Sequence, residues 1–379
     1  MDVSFVIPCL NEEDSVAAVV VEALSILERQ GIEGEVIVVD NGSDDASAER
    51  AATAGANVVH EPRRGYGSAY LAGFAAARGT YIVMTDADGS YDLRSVPEFV
   101  ARLRAGDDLV LGSRFKGRIH RGAMPWSHRW IGNPVLTGML NLLFRGHVSD
   151  AHCGLRALRR ETLPRLQLST TGMEFASEVV IKAAKRGLRV SEIPIDYRPR
   201  MGESKLNSVR DAWRHVRFML VHSATWLFLV PGSVALLVGM GTLLPFAVDR
   251  RLGDPSWAVP VSIVAAFVAV VGGQVIQLGL FARTYAALYL GEDEPLLERA
   301  WRRFRLEHGL VVATIVTLLG LAIALVANFD GVPDPSLGLL GATFVALGIQ
   351  GLFGAFFLSI LGLSEHARLL LRRHAGSTR

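Results

Sequence analysis

Cysteine is scarce: in 379 residues only Cys9 and Cys153 occur, which excludes a disulfide framework or a cysteine-rich metal centre and makes a reducing setting the default. Lysine is scarcer still for its charge class, since Lys116, Lys182, Lys185 and Lys205 are the only non-arginine members of the 39 basic residues. Charge of either sign is thin, at 20% of residues, and 39 basic against 37 acidic side chains leave a net charge of +2. No global basic field argues for nucleic acid, and no acidic excess argues for disorder. The opening MDVSFVIPCLNEED lacks a basic region followed by a long apolar run, so no signal peptide is expected. What is abundant is apolar surface, 50% of residues, more than a soluble globule of this size can bury.

The excess sits in the second half, where residues 223–248, 255–282, 309–329 and 335–364 contain no Asp, Glu, Lys, Arg or His. Each exceeds the roughly 20 residues that a helix needs to cross the hydrocarbon core, so four transmembrane helices are predicted, at about 223–248, 257–282, 309–329 and 337–363. Basic residues cluster before the first span (Lys205, Arg210, Arg214, Arg217), between the second and third (Arg283, Arg299, Arg302, Arg303, Arg305) and in the 365–379 tail. The positive-inside rule then puts both termini and residues 1–208 in the cytoplasm, at a cell membrane. Residues 209–222 and the 284–308 connection alternate Arg with Trp, Val, Leu and Phe in the manner of interfacial helices. Within the spans, Gln274, Gln277 and Gln350 read as helix–helix contacts, and the absence of charge argues against an ion-coupled transporter.

Residues 1–208 alternate short apolar runs with amphipathic ones. Strands are expected at 3–7, 36–39, 58–59, 81–85 and 109–112, and helices at 12–27 behind an Asn11 N-cap, 46–54 and 67–78. That alternation predicts an α/β domain with a mostly parallel sheet covered on both faces, and such sheets bind ligands at the carboxyl ends of their strands.

Those ends carry the acidic residues. The first strand runs into PCLNEE (8–13), the second into DNGSDD (40–45) and the fourth into DADG (86–89). Taken singly, Glu12–Asp14 reads equally as an acidic first helical turn, and Asp44–Asp45 as a capping turn. Taken together, three carboxylate clusters on one edge repel unless they share a cation, so a hard divalent ion, Mg²⁺ or Mn²⁺, completed by substrate phosphates is the physical expectation.

In order along the chain, IPCLNEE (7–13), VVDNGSDD (38–45), RGYGSAYLAGFAAARG (64–79), TDADGSYD (85–92), LGSRF (111–115), DAHCGLRALRR (150–160), GMEFASE (172–178) and YRPRMGESKL (197–206) resemble glycosyltransferase family 2. The similarity is greatest to its polyprenyl-phosphate glycosyltransferases of the dolichyl-phosphate mannose and glucose synthase type. The resemblance implies a GT-A nucleotide-sugar-binding domain with a Rossmann-like, mixed, mostly parallel sheet. It implies that Pro8, Leu10, Glu12 and Asp40 bind the nucleoside, and that Asp86 and Asp88 flank Ala87 in a DxD motif holding metal and donor diphosphate. It further implies that Arg200, with Ser204 and Lys205 beside it, neutralises the diphosphate, and that Arg114 and Arg129 hold the acceptor phosphate. Some relatives place a Gln two residues past the DxD as a further metal ligand; here Ser90 stands there. The expected partners are a nucleotide sugar, a polyprenyl phosphate and the membrane, with a homo-oligomer as a further option. TDADGS and GMEFASE favour UDP-glucose over GDP-mannose.

Chemistry supports the pattern independently. A nucleoside diphosphate leaving group gains negative charge that a metal and Arg200 can stabilise, and a lipid phosphate is already anionic, so a general base is optional. Asp150, where the resemblance places a candidate base, reads equally as an acceptor-orienting group, a partner for Arg charge or a cap. Glu174 and Glu178, four apart, could reach a donor hydroxyl or form an exposed acidic face beside Lys182. His120, His128, His147 and His152 read as loop histidines rather than ligands. Two alternatives stay open: a processive polysaccharide synthase, whose Gln-x-x-Arg-Trp string does not occur here, and a non-catalytic scaffold that keeps the fold.

Overall fold

The computed structural model describes residues 1–202, 208–248, 257–289, 306–329 and 334–376. The chain forms two compact units, Met1–Met219 and Leu220–Arg379.

The first unit is a seven-stranded sheet with helices on both faces. Its elements are β1 (Val3–Cys9), α1 (Val16–Arg29), β2 (Gly34–Asp40), α2 (Ser47–Thr53), β3 (Asn57–His60), α3 (Tyr66–Ala76), β4 (Tyr81–Met84), α4 (Val96–Arg104), β5 (Leu109–Ile119), α5 (Asn133–Phe144), β6 (Arg156–Arg159), α6 (Leu163–Leu166), α7 (Phe175–Lys185), β7 (Val190–Tyr197) and α8 (Ser208–Val221). The strand order is β3-β2-β1-β4-β6-β5-β7, all neighbours parallel except β6, which is antiparallel to both β4 and β5. Because side chains alternate along a strand, Val3, Phe5 and Ile7 of β1 enter a core with α1 and α4, while Val6 enters a second core with Tyr70 and Phe74 of α3, Leu140 of α5 and Phe175 of α7. Strands buried on both faces have no polar side to alternate with, which is why β1 and β2 read as continuous apolar runs.

Helix α1 begins at Val16 rather than at residue 12, and Asn11 does not cap it. Asn11 sits at φ 52°, a left-handed conformation that Asn tolerates. Its N–H donates to Ser43 Oγ at 2.9 Å and its Oδ1 accepts from Asp44 N at 2.8 Å, clasping the β1 and β2 loops together. Strand β5 runs to Ile119, seven residues past the expected end, because β7 pairs along it with an irregularity between Ser113 and Arg118.

The second unit holds four helices long and apolar enough to span a membrane, over Thr225–Val248, Ala258–Ala286, Leu306–Val326 and Pro335–Leu361. They belong to α9 (Val230–Val248, after one wide turn), α10 (Ala258–Tyr289), α11 (Leu306–Val326) and α12 (Pro335–Gly376). Glycines bring their axes close: a Cβ on Gly239 of α9 would lie 2.5 Å from Ala269 N of α10, and one on Gly320 of α11 would lie 2.6 Å from Val345 N of α12. Gln277 rests against Gly354 of the facing helix and Gln350 against Gly273, the placement expected of interhelical contacts.

Candidate active site at the carboxyl edge of the sheet

The parallel register of β1 and β2 sets Cys9 opposite Asp40, so the loops that follow both strands leave the sheet side by side. Pro8 is the penultimate residue of β1, and Leu10 and Glu12 stand in the turn beyond the strand. Asp40 is buried; its Oδ1 accepts from Ser43 N at 3.1 Å and its Oδ2 lies 3.1 Å from His60 Nδ1. The next residue, Asn41, was not singled out from the sequence, yet its side chain makes three hydrogen bonds. It donates to Glu61 O and Arg63 O at 2.8 and 2.9 Å and accepts from Gly65 N at 2.6 Å. Asn41 thereby ties the end of β2 to the loop that starts α3.

That loop delivers Tyr66. Gly65, at φ 145°, and Gly67 pass so close to the 170–171 backbone that a Cβ on either would lie 2.2 or 2.1 Å from a carbonyl oxygen. Tyr66 then donates its hydroxyl to Asp86 Oδ1 at 3.0 Å. Burial, followed by the charge of Asp88, pushes the Asp86 carboxyl up to about 6. Ala87 is buried between the two acids. Asp88 accepts from Ser90 N at 3.0 Å, and its Oδ2 lies 3.7 Å from Arg200 Nη2, which also donates to Glu12 Oε1 at 3.1 Å. Arg200 therefore bridges the carboxylates of Glu12 and Asp88, while its Nε is buried without a hydrogen bond. The segment carrying it is strapped to the DxD loop: Arg198 N donates to Ser90 O at 2.8 Å and Met201 N to Asp88 O at 2.9 Å.

These groups fit a divalent ion. Two carboxylates face one another, one held above its ordinary pKa by burial and by its neighbour, a tension that protonation or a cation relieves. Ser90 Oγ is buried nearby and, although close to the Tyr197 hydroxyl, makes no hydrogen bond of acceptable geometry. Among the described residues no cluster of three acidic, His or Cys side chains stands ready, so an ion here would take Asp86 and Asp88 and fill its remaining positions with water and phosphate, the habit of Mg²⁺.

Beside the carboxylates lies a buried basic pair. Arg114 donates through Nε and Nη2 to Asp150 at 2.7 and 2.8 Å, with its backbone N–H on the same carboxylate at 3.1 Å, and its guanidinium lies 5.3 Å over the Tyr197 ring. Burial disfavours the Arg114 charge; the field and hydrogen bonds of Asp150 together carry its pKa well above the ordinary value. Asp150 is 1% exposed, and besides Arg114 its Oδ1 accepts from His152 N at 3.4 Å, so of its sequence readings the geometry shows the partner for Arg charge and the cap of the following segment. Glu192 supports it, accepting from Ser149 N at 2.7 Å and Asp150 N at 3.2 Å. Arg156, fully buried, spends its donors on the carbonyls of Cys153, Ala176 and Ala151.

Three expected residues stand apart. Arg129 lies in the turn before α5 with its guanidinium 5.4 Å over Trp130, and among the described residues no ion pair joins it to the carboxylate cluster. Ser204 and Lys205 fall outside the described residues. Glu178 is buried and accepts from the N–H groups of Ser169 and Thr170 and from Lys182, which makes it an anchor for the loop under Gly65 and Gly67 rather than a sugar contact or an exposed acid. His152 is no loop bystander either: Ser177 Oγ joins its Nε2 at 3.1 Å to His215 Nδ1 of α8 at 2.8 Å, and burial pushes His215 down to about 4.

Residues 4–166 match the family described as glycosyl transferase family 2, and residues 280–362 match the glycosyltransferase family 2 C-terminal transmembrane region. The low-salt glycan biosynthesis hexosyltransferase Agl6 of Haloferax volcanii is 37% identical over 367 residues, covering 95% of this chain and 89% of that protein. The chain belongs to glycosyltransferase family 2. A dolichyl-phosphate hexose transferase of the same organism is 35% identical over 208 residues, 54% of this chain and 87% of its own. The crystal structure of a mycobacterial protein superposes with a TM-score of 0.50 at 25% identity, over 59% of this glycosyltransferase and 74% of its own chain. This family 2 glycosyltransferase is thus an enzyme with a mostly parallel α/β domain and a multi-pass membrane region.

The sheet edge of such an enzyme has a cationic and an anionic half. On one side Glu12 and Asp88 gather about Arg200, with Asp40 and Asp86 at the ends of the adjoining strands. Arg114, locked by Asp150, supplies a fixed cation on the other side. Tyr66 and Asn41 are residues that sequence reading missed. Tyr66 meets a carboxylate, and Asn41 backbone groups, 20 to 24 residues away, so no local pattern announces them.

Proposed function

We propose that the enzyme transfers a hexose, with inversion, from a nucleoside diphosphate sugar to the phosphate of a membrane polyprenyl phosphate, with UDP-glucose the favoured donor and GDP-mannose next. The observation that carries this reading is the site itself: Asp86 and Asp88 joined through Arg200 to Glu12, with the buried Arg114–Asp150 pair alongside. A relative named for dolichyl-phosphate hexose transfer supports the lipid acceptor, and the four spans give the enzyme access to one.

Pro8, Leu10, Glu12 and Asp40 would receive the nucleoside. Asp86 and Asp88 would hold Mg²⁺ or Mn²⁺, which when bound supplies Lewis-acid stabilisation of the leaving diphosphate. Arg200 exchanges its carboxylate partners for the diphosphate oxygens and stabilises the charge that grows there as the anomeric bond breaks. The acceptor phosphate attacks as an anion, so no group need remove a proton, in keeping with the commitment of Asp150 to Arg114. Of its side-chain donors Arg114 uses only Nε and Nη2 on Asp150, which leaves Nη1 for an acceptor oxygen; Arg129 and Ser204 would complete the acceptor-phosphate contacts, and Lys205 those of the donor. The basic flanks of the spans support a cytoplasmic side for this chemistry and both termini.

The test is transfer of radiolabel from a panel of UDP- and GDP-sugars into organic-extractable polyprenyl phosphate by the full chain in detergent, with Mg²⁺, Mn²⁺ or EDTA. Label from UDP-glucose, lost with EDTA, is the expected result. No lipid label from any donor, with UDP binding intact, refutes the acceptor; undiminished label in EDTA refutes the metal.

A further inference from the structure

A buried chain of polar side chains runs from the turn beyond Asp150 to α8, and the chemistry of the sheet edge does not use it. It starts at His152, whose backbone N donates to Asp150 Oδ1, passes through the fully buried Ser177 of α7, and ends at the buried His215 of α8. Ser177 Oγ lies 3.1 Å from His152 Nε2 and 2.8 Å from His215 Nδ1, and the two imidazoles meet edge to face with centroids 4.6 Å apart. Burial lowers the pKa of both rings, so both are neutral near pH 7. Proton count then sets the direction of the chain. His152 Nδ1 is buried without a partner, so the ring carries its one proton on Nε2 and donates it to Ser177. The Ser177 hydroxyl, with one proton of its own, donates onward to His215 Nδ1.

Packing alone does not call for these groups. His215 shares the inner face of α8 with Met219, buried in the second core, and with Ala212, Val216 and Phe218 packed against that core. A leucine would bury there more cheaply than an imidazole, which must be hydrogen-bonded to be tolerated. What a satisfied polar chain adds to an apolar contact is direction and a single register. The far end of the chain shows what is registered. The turn over residues 150–155 holds Arg114 through Asp150 and is itself fixed from several elements: Ala151 N donates to Thr137 Oγ1 of α5 at 3.3 Å, Gly154 N to the Tyr91 hydroxyl at 2.8 Å, and Arg156 Nη1 to Ala176 O of α7 at 2.7 Å. Arg156 and His152 thus bolt the turn to adjacent residues of α7, and the bolt through Ser177 continues to α8. In sequence, α8 is followed at Thr225 by the first span.

We propose that His152, Ser177 and His215 are positioning residues for glycosyl transfer, their hydrogen-bond chain setting the Asp150–Arg114 pair in one register against α8, the helix that leads to the first span. The benefit to the acceptor rests on the reading of Arg114 as an acceptor-phosphate contact; the register itself does not.

The test replaces His215 in the full chain in detergent, with UDP binding reporting that each variant is folded. His215→Asn puts a carboxamide oxygen where Nδ1 accepts and keeps the bond from Ser177, whereas His215→Leu removes the bond while suiting the apolar face. In transfer assays with polyprenyl phosphate and labelled donor varied in turn, His215→Leu should raise the acceptor KM about tenfold and the donor KM by less than about twofold, with His215→Asn within about threefold of the parent for both. In hydrogen–deuterium exchange without substrate, peptides over residues 150–156 should exchange several-fold faster in His215→Leu, and His215→Asn should restore the parent rate. Parent-like exchange in His215→Leu overturns the register, and so does an Asn variant that exchanges as fast as the Leu one. Faster exchange with both KM values unchanged, or raised alike, overturns the positioning role. A parent enzyme that labels no polyprenyl phosphate refutes the acceptor reading of Arg114 instead, and the exchange comparison then decides the register alone.

Discussion

Asp86 shares its buried corner with Asp88 and receives one hydrogen bond, from Tyr66. If Asp86 is a metal ligand, proton and ion compete for it, and its pKa of about 6 fixes where. The fraction available to an ion is close to one at pH 7.5 and on the order of one tenth at pH 5, so Mn²⁺ affinity should fall about tenfold over that interval. Tyr66→Phe removes a neutral donor to a carboxylate, a change of about 1.4 kcal/mol or more, which raises the carboxyl by about one further unit. The variant should therefore bind Mn²⁺ nearly as the parent does at pH 8 but about fivefold more weakly at pH 6, its profile displaced to higher pH. Free Mn²⁺ measured by electron paramagnetic resonance, with the full chain in detergent and UDP present, reads this directly. In the absence of metal the same proton uptake makes a stability contribution of defined sign. The folded state holds the proton more tightly than the unfolded chain, so stability falls as pH rises from about 4 to 6. Mn²⁺ binding that is flat between pH 5 and 7.5, or a Tyr66→Phe profile that superposes on the parent, would refute the assignment of Asp86 and of its donor.

Other perturbations separate the remaining groups. Arg200→Ala should lower turnover by on the order of 10²-fold with UDP affinity changed far less, and a loss confined to donor KM would make Arg200 a binding group only. Asp150→Asn strips the counter-charge from a buried guanidinium; a loss of about 3–5 kcal/mol is expected in denaturant unfolding of the detergent-solubilised chain, and wild-type stability would show that Arg114 finds another partner. Asn41→Ala frees the carbonyls of Glu61 and Arg63, so protease cleavage within residues 61–65 should accelerate with α1 and the sheet intact, whereas an unchanged digestion rate would show that the glycine seats hold this loop by themselves.

The DxD loop, Asp40 and the spans were legible because each is a local pattern: an apolar run ending in acids, or a run without charge. The Arg200 assignment followed from a resemblance in residues 197–206, and the structure sets its guanidinium among Glu12 and Asp88. What escaped was long-range. Strand β6 is four residues long and lies antiparallel between two strands distant in sequence, so nothing in the local periodicity of RALR marks it. Asn11 read as a helix cap because caps and left-handed turns favour the same residue, and only the β2 loop it clasps distinguishes them. Asp150 kept several readings, base, acceptor-orienting group, partner for Arg charge or cap, because a sequence does not show which arginine a carboxylate faces.

The glycine seats of the membrane helices reverse the usual map of mutational tolerance. In a soluble domain the large buried side chains resist change and the outer surface drifts. Here the outward positions of the four helices, such as Leu237, Phe267, Leu318 and Phe353, face outward with ample room, and one apolar residue can replace another. At Gly239, Gly272, Gly320, Gly341 and Gly348 even a methyl group meets backbone or a fixed side chain within 3 Å. The smallest residues of this unit are its least replaceable, and alanine scanning across it would find its sharpest losses where the least mass is added.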